Sequence, residues 1–318
     1  MQIIIQKNKI SNLYSFISNL SQWNELVCVP NRKKEWIKTT GKLSEKEKGY
    51  LKVFSKIMQE STNNLELIFL FSDKKDIWQK ISKEIGNEKT IILKQIFSYF
   101  RSRFNILWKE EEDKIKIIEK YFNRNINLIE NNLNVIKSLC NLSNQKVNER
   151  ITLNLLLSSS KKTDCQAWYY NNIIVLEASG WPKENLDELL NSIFLHECFH
   201  LYFQKNKLLF SNLKKLASKN KKIINRLDLK HWPVEMILEE CLVSSFLPEG
   251  YLSEKFLKKD VKKIASKKIE SKNIDQFSKI RYFCALNLYK NAKNYVENKK
   301  SLDIFYFNDL VKSVNKFI

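Results

Sequence analysis

Glycine and proline are scarce in this chain, with five glycines and four prolines in 318 residues. Tight turns draw heavily on both, so a many-stranded β fold is excluded and a mainly helical protein is expected. Arginine is also scarce. Lysine and arginine outnumber acids by 55 to 35 and leave a formal charge of +20, yet only seven of those cations are arginine. Sequence-reading nucleic-acid modules rely on the guanidinium fork and on a concentrated basic stripe, whereas lysine here is spread along the whole chain. The composition therefore argues against a nucleic-acid partner, and an acidic peptide would suit the charge equally well. The six cysteines are scattered without CxxC spacing, which excludes a zinc ribbon and a compact disulfide framework and reads as reduced thiols. No apolar run approaches the length needed to span a bilayer, and residues 1–9 lack a signal-peptide core, so the expectation is a cytoplasmic protein with no membrane partner. Walker, G-x-G-x-x-G and G-x-S-x-G patterns are absent.

The length allows one large domain or two lobes, and two lobes sharing a cleft are expected. Helical periodicity dominates from Ser11 to about Asn144, within a helical N-terminal lobe of residues 1–147, with candidate helices at Ser44–Glu60, Lys75–Glu84, Thr90–Trp108 and Glu112–Phe122. Ser44 followed by Glu47 is a capping-box pair. The apolar segment Leu65–Phe71 fits a strand as well as a helix. The pattern changes near Val147, where the boundary to a second domain, residues 148–318, is placed. Arg150–Ser160 opens with the β-branched, apolar character of a strand. Ala167–Tyr170 and Ile173–Glu177 read as a hairpin closed by Asn171 and Asn172, which tolerate positive φ. Gly180, Trp181 and Pro182 break the sheet before a helix over Leu186–Gln204. A basic helical stretch follows from Leu208 to Leu227, then a helix beginning at Pro233 and stopped by Pro248 and Gly250, then amphipathic helices to the C-terminus. The fold class is α+β, mainly α: a helical N-terminal lobe, a small sheet with the central helix, and C-terminal helices.

That central helix carries His196, Glu197 and His200 in the pattern H-E-x-x-H. Residues four apart lie about 40° apart around a helix and about 6 Å apart along it, so two imidazoles can converge on one metal ion. Glu197, on the flank, is placed to act as a general base towards a metal-activated water. Catalytic zinc takes three protein ligands and leaves a fourth position open. The third must come from elsewhere, and the candidates are His231 and the carboxylates Glu235, Glu239 and Glu240 on the helix after Pro233. Periodicity does not choose between Glu239 and Glu240, which flank the apolar face formed by Val234, Ile237, Leu238, Cys241 and Ser245.

The combination of an H-E-x-x-H helix with a glutamate on a later helix resembles the gluzincin family of zinc peptidases. The resemblance covers about residues 150–250. Glu240-Cys241-Leu242-Val243 is similar to the Glu-Gly-Leu-Ala-like setting of the family's third ligand, which implies Glu240, ahead of Glu239, as the zinc ligand. The acidic residue that supports a zinc histidine four positions later in thermolysin-like members is replaced by Ser244. Gln166-Ala167-Trp168-Tyr169 resembles the edge strand on which these enzymes lay an extended peptide. For the oxyanion of amide hydrolysis the candidates are His231, Tyr282 and Tyr169, with His231 favoured because it lies close in sequence to the motif. Cys198 and Cys241, beside the proposed ligands, read as packing residues. The expectation is a Zn2+-dependent metallopeptidase acting on peptide or protein substrates, with His196, His200 and Glu240 on the metal and Glu197 and His231 in catalysis. Its rivals are an inactive metal-binding or interaction module of zincin fold, a basic nucleic-acid-binding protein, and a hydrolase of non-peptide amides. The sequence does not indicate an oligomeric state.

Overall fold

The computed structural model describes residues 2–24, 28–61, 64–72, 76–143, 150–158, 165–223 and 232–318. They form a mainly helical α+β protein with one small mixed sheet. The chain divides into two compact units, Met1–Asn125 with Glu149–Leu186, and Ile126–Asn148 with Asp187–Ile318. This corrects the expected boundary near Val147, which itself lies outside the described residues. The strands after residue 149 belong with the N-terminal helices, and the helix over 126–139 belongs with the C-terminal ones. The physical reason is a strand at the N-terminus that the sequence reading missed. β1 (Gln2–Gln6) pairs in parallel with β2 (Arg150–Leu156), with Ile3 opposite Ile151 and Ile5 opposite Leu153. A sheet cannot be divided between two cores.

In the first unit the strand order is β1-β2-β4-β3, where β3 is Ala167–Tyr170 and β4 is Ile173–Glu177. β2 and β4 run parallel, while β3 returns antiparallel along the edge. β2 is buried at every position after Arg150, which explains its near-continuous apolar sequence: a strand covered on both faces does not alternate. The hairpin turn falls where expected, with Asn171 at a φ of 53°.

Around the sheet lie α1 (Lys9–Ser21), α2 (Pro30–Thr40), α3 (Glu45–Glu60), α4 (Asn64–Phe71) and α5 (Ile77–Arg124). Ser44 and Glu47 form the expected capping box at α3. The open segment Leu65–Phe71 is helical because Leu65 and Phe69, four residues apart, share a buried face. α5 is interrupted only at Gly86, whose φ of 81° is readily reached by glycine alone. The two helices expected at Thr90–Trp108 and Glu112–Phe122 are thus continuous. The acidic run between them is stitched to the helix by Lys114 with Glu111, and Lys116 with Glu112 and Asp113. α1 is fixed by amides: Asn12 donates to the Leu155 carbonyl (3.1 Å) and accepts from the Leu157 amide (2.7 Å), and Ser11 donates to the Phe69 carbonyl (2.7 Å). The guanidinium of Arg32 on α2 grips both carboxylate oxygens of Glu177 on β4, and both side chains are fully buried.

The second unit contains α6 (Ile126–Leu139), α7 (Leu195–Lys205), α8 (Lys207–Lys219), α9 (Val234–Ser244), α10 (Tyr251–Leu257), α11 (Val261–Glu270), α12 (Gln276–Glu297) and α13 (Ile304–Phe317). A π-helical stretch, Leu189–Phe194, leads into α7 and is held to α6 by a bond from Asn132 Nδ2 to Asn191 Oδ1 (2.8 Å). Every residue from Leu195 to Phe203 is buried. α7 is therefore the central helix of this unit, packed by α6, α8 and α9, while α9 is covered in turn by α12 and α13. The C-terminal helices take the expected amphipathic form. Among the described residues none of the six cysteines is in a disulfide. Among the described residues no helix is long and apolar enough to cross a membrane.

Glu66 on α4 generates a pH prediction. Burial pushes its carboxyl up to about 7, and among the described residues no cation pairs with it. The unfolded chain gives up this proton first, so the first unit should lose stability as pH rises from about 4.5 to about 7 and level off above. Glu66→Gln should raise the denaturation midpoint at pH 8 and leave it unchanged at pH 4, as read by urea titration at both values.

Candidate metal centre

α7 presents His196 and His200 one helical turn apart, and their rings lie 4.6 Å between centroids. The Nε2 atoms are 3.1 Å from each other. α9 packs against this face and brings Glu240 to it, with Oε2 3.5 Å from His196 Nε2 and Oε1 3.3 Å from His200 Nε2. His196, His200 and Glu240 thus form a group of converging metal-type donors, all within 4.8 Å of one another. A tetrahedral zinc site with bonds near 2.0–2.1 Å has edges of about 3.3 Å between ligand atoms. The nitrogens here are 3.1 Å apart and lie 3.3 and 3.5 Å from different oxygens of Glu240, so the donor set fits such an ion in type, with one atom from each residue within 4.8 Å of the others.

The outer ring nitrogens are committed elsewhere, which fixes the direction of the lone pairs. His196 Nδ1 lies 2.9 Å from the carbonyl oxygen of Leu247, and His200 Nδ1 lies 2.8 Å from Glu239 Oε1. Both partners are acceptors, so both Nδ1 atoms carry a hydrogen and both Nε2 atoms face inward, close enough to share a proton. Glu239 is held in turn by Gln204, one turn beyond His200, whose Nε2 reaches both carboxylate oxygens at 3.0 and 3.1 Å. The two successive glutamates therefore share His200 between them, one at each ring nitrogen. Burial by itself would lower the pKa of His200, but Glu240 and Glu239 outweigh it and push the group up to about 10. Desolvation would raise the Glu240 carboxyl, but the two histidines hold it well below the ordinary range. A proton and a metal cation compete for the same inward lone pairs.

Glu197 is buried, with 9% of its surface exposed. Among the described residues its carboxylate has neither a hydrogen bond nor an ion pair. Burial raises its pKa, and His196 and His200 pull the other way. A buried carboxylate without a partner is costly, and such groups concentrate at sites of chemistry.

Of the predicted ligands, His196, His200 and Glu240 come together. Glu239 binds the back of His200, which is the supporting role that the resemblance implied for the position now held by Ser244. Glu235, in the first turn of α9, is half-buried and stands outside the group. His231 lies outside the described residues. Tyr169 belongs to the first unit and the three donors to the second; Tyr282, on α12, is half-buried. Cys198 and Cys241 are fully buried packing residues, and Cys241 lies in thiol contact with Cys284 of α12. The Ala167–Tyr170 strand does lie at a sheet edge, in the first unit.

The sequence reading missed three supports. One is the Leu247 carbonyl, brought round to His196 by the turn that ends α9. Gly250 permits that turn, because a Cβ there would collide with the Ser245 carbonyl. The others are Arg281 and Glu249. Arg281 on α12 donates from Nε to Ser244 Oγ (2.8 Å) and from a terminal nitrogen to Glu249 Oε1 (2.6 Å), fastening both sides of the turn that carries Leu247. The usable signal was a lone arginine in a lysine-rich stretch.

No family model, no curated protein and no solved structure matches this chain.

The two carboxylates should separate cleanly in a zinc competition titration against a chromophoric chelator. Glu240→Ala should abolish stoichiometric binding. Glu239→Ala should retain it with affinity reduced about 10–100-fold, the usual consequence of losing a histidine's outer partner. A larger loss from Glu239→Ala than from Glu240→Ala would reverse the assignment.

Proposed function

We propose that this chain is a zinc-dependent metallopeptidase of the gluzincin type that hydrolyses peptide bonds. The observation that carries the reading is the cluster of His196, His200 and Glu240, one donor atom from each within 4.8 Å of the others, with the unpartnered carboxylate of Glu197 on the same helix. These three residues would hold the zinc. When bound, the ion supplies Lewis-acid polarisation of the scissile carbonyl and acidification of the attacking water.

The remaining chemistry belongs to the side chains. Glu197 takes a proton from the attacking water and returns it to the leaving amine, a task suited to a buried carboxyl whose proton affinity is raised. Glu239 and the Leu247 carbonyl keep both imidazoles in the Nδ1–H tautomer, so neither ring turns away from the centre. Burial of α7 excludes bulk water from the flanks of the site and strengthens each of these charges.

The test is a broad peptide library incubated with zinc-loaded protein. The wild type should cleave a subset of peptides. Glu197→Gln should retain zinc and lose about 10²–10⁴-fold in rate. Equal rates for the two proteins would remove Glu197 from the mechanism. Full zinc occupancy with no cleavage by either would favour a metal-binding interaction module. A wild type that takes up no zinc would end the reading altogether.

A further inference from the structure

The first unit contains a second feature that the proposed peptidase does not use. A cavity of about 530 Å³ opens between α1, α2 and α3, within the roughly 300–1,000 Å³ range of small-molecule sites. Leu20, Ile37, Leu43 and Leu51 form its apolar wall, and Leu20 and Leu51 are buried. Its two hydroxyls, Ser21 and Ser55, are spent on carbonyls of their own helices at 2.8 and 2.9 Å. The interior therefore asks for an aliphatic occupant.

The rim has the opposite character. Lys33, Lys42, Lys48 and Lys52 surround the opening, and no acidic residue lines it. Lys48 reaches Glu45 at 2.6 Å, but that pair is solvent-exposed and weak. Among the described residues Lys33, Lys42 and Lys52 are in no ion pair, although the Lys52 charge is felt at Glu45. Glu47 is turned to Arg103 and the Ser44 cap. Lysine stems of this kind cover apolar surface while their ammonium groups stay in water. No guanidinium contributes, so the cavity offers several point charges, which a phosphate carrying nearly two negative charges satisfies more fully than a single carboxylate.

We propose that this cavity binds a single-chain amphiphile with a phosphate head, the chain lying against Leu20, Ile37 and Leu51 and the head among the four ammonium groups. The inference uses none of the residues of the metal centre and stands or falls separately from the peptidase reading.

Calorimetric titration of the full chain with dodecyl phosphate below its micelle concentration tests it. The expected result is saturable one-to-one binding that weakens with salt, falls about tenfold in the Lys33→Glu, Lys52→Glu double variant, and disappears in Ser55→Phe, which fills the cavity. The two lysines are surface residues, so the double variant carries the test even if Ser55→Phe does not fold. Inorganic phosphate binding as tightly would overturn the role of the apolar wall, and dodecyl maltoside binding as tightly would overturn that of the lysines. Absence of saturable binding, or an unchanged affinity in the double variant, would overturn the proposal as a whole.

Discussion

The packing of α9 against α7 sets His200 between two consecutive carboxylates, and most of what is distinctive in the second unit follows from it. Glu239 and Glu240 differ by about 100° around their helix, enough for one to meet Nδ1 and the other Nε2 of the same imidazole. Neither acid could be buried alone without a severe desolvation cost. Glu239 is compensated by the ring hydrogen and by Gln204. Glu240 is compensated by the two histidines, which hold its carboxyl well below the ordinary range.

The surrounding helices act on that arrangement from behind. The π stretch before α7 is tied to α6, so the register of His196 and His200 is set by a neighbouring helix as well as by their own. At the far end of α9, Arg281 holds Ser244 and Glu249 together, and the turn between them delivers the Leu247 carbonyl to His196. The same logic explains how this lysine-rich chain uses arginine. Arg32 with Glu177, Arg103 with Glu47 and Arg281 with Glu249 each pair a guanidinium with a buried or half-buried carboxylate. A planar, weakly hydrated cation can be taken out of water there, where an ammonium would hold its hydration shell.

Much of the local structure was legible because it rests on contacts between residues near in sequence. The Ser44–Glu47 capping box, the Asn171–Asn172 turn, the helix starting after Pro233 and the two-histidine face of α7 all lie within a few residues, where backbone geometry dictates which side chains meet. Leu65–Phe71 stayed ambiguous because seven apolar-rich residues satisfy both periods until a partner surface exists. β1 was missed for a related reason: five residues make a strand only when a parallel neighbour nearly 150 positions away supplies the hydrogen bonds.

The sequence by itself determined the fold class, the pair of imidazoles and the flanking Glu197, since helical geometry alone places them. Periodicity narrowed the third candidate ligand to His231 and three acids on one helix, and only the family resemblance favoured Glu240, because two adjacent glutamates are equivalent until another helix approaches from one side. Tertiary packing decided that Glu240 faces the two Nε2 atoms and that Glu239 supports from behind. It also decided that the strands join the N-terminal helices and that a carbonyl 51 residues away orients His196. Each of these is a contact between distant segments, fixed by how buried surfaces fit together and invisible in local periodicity.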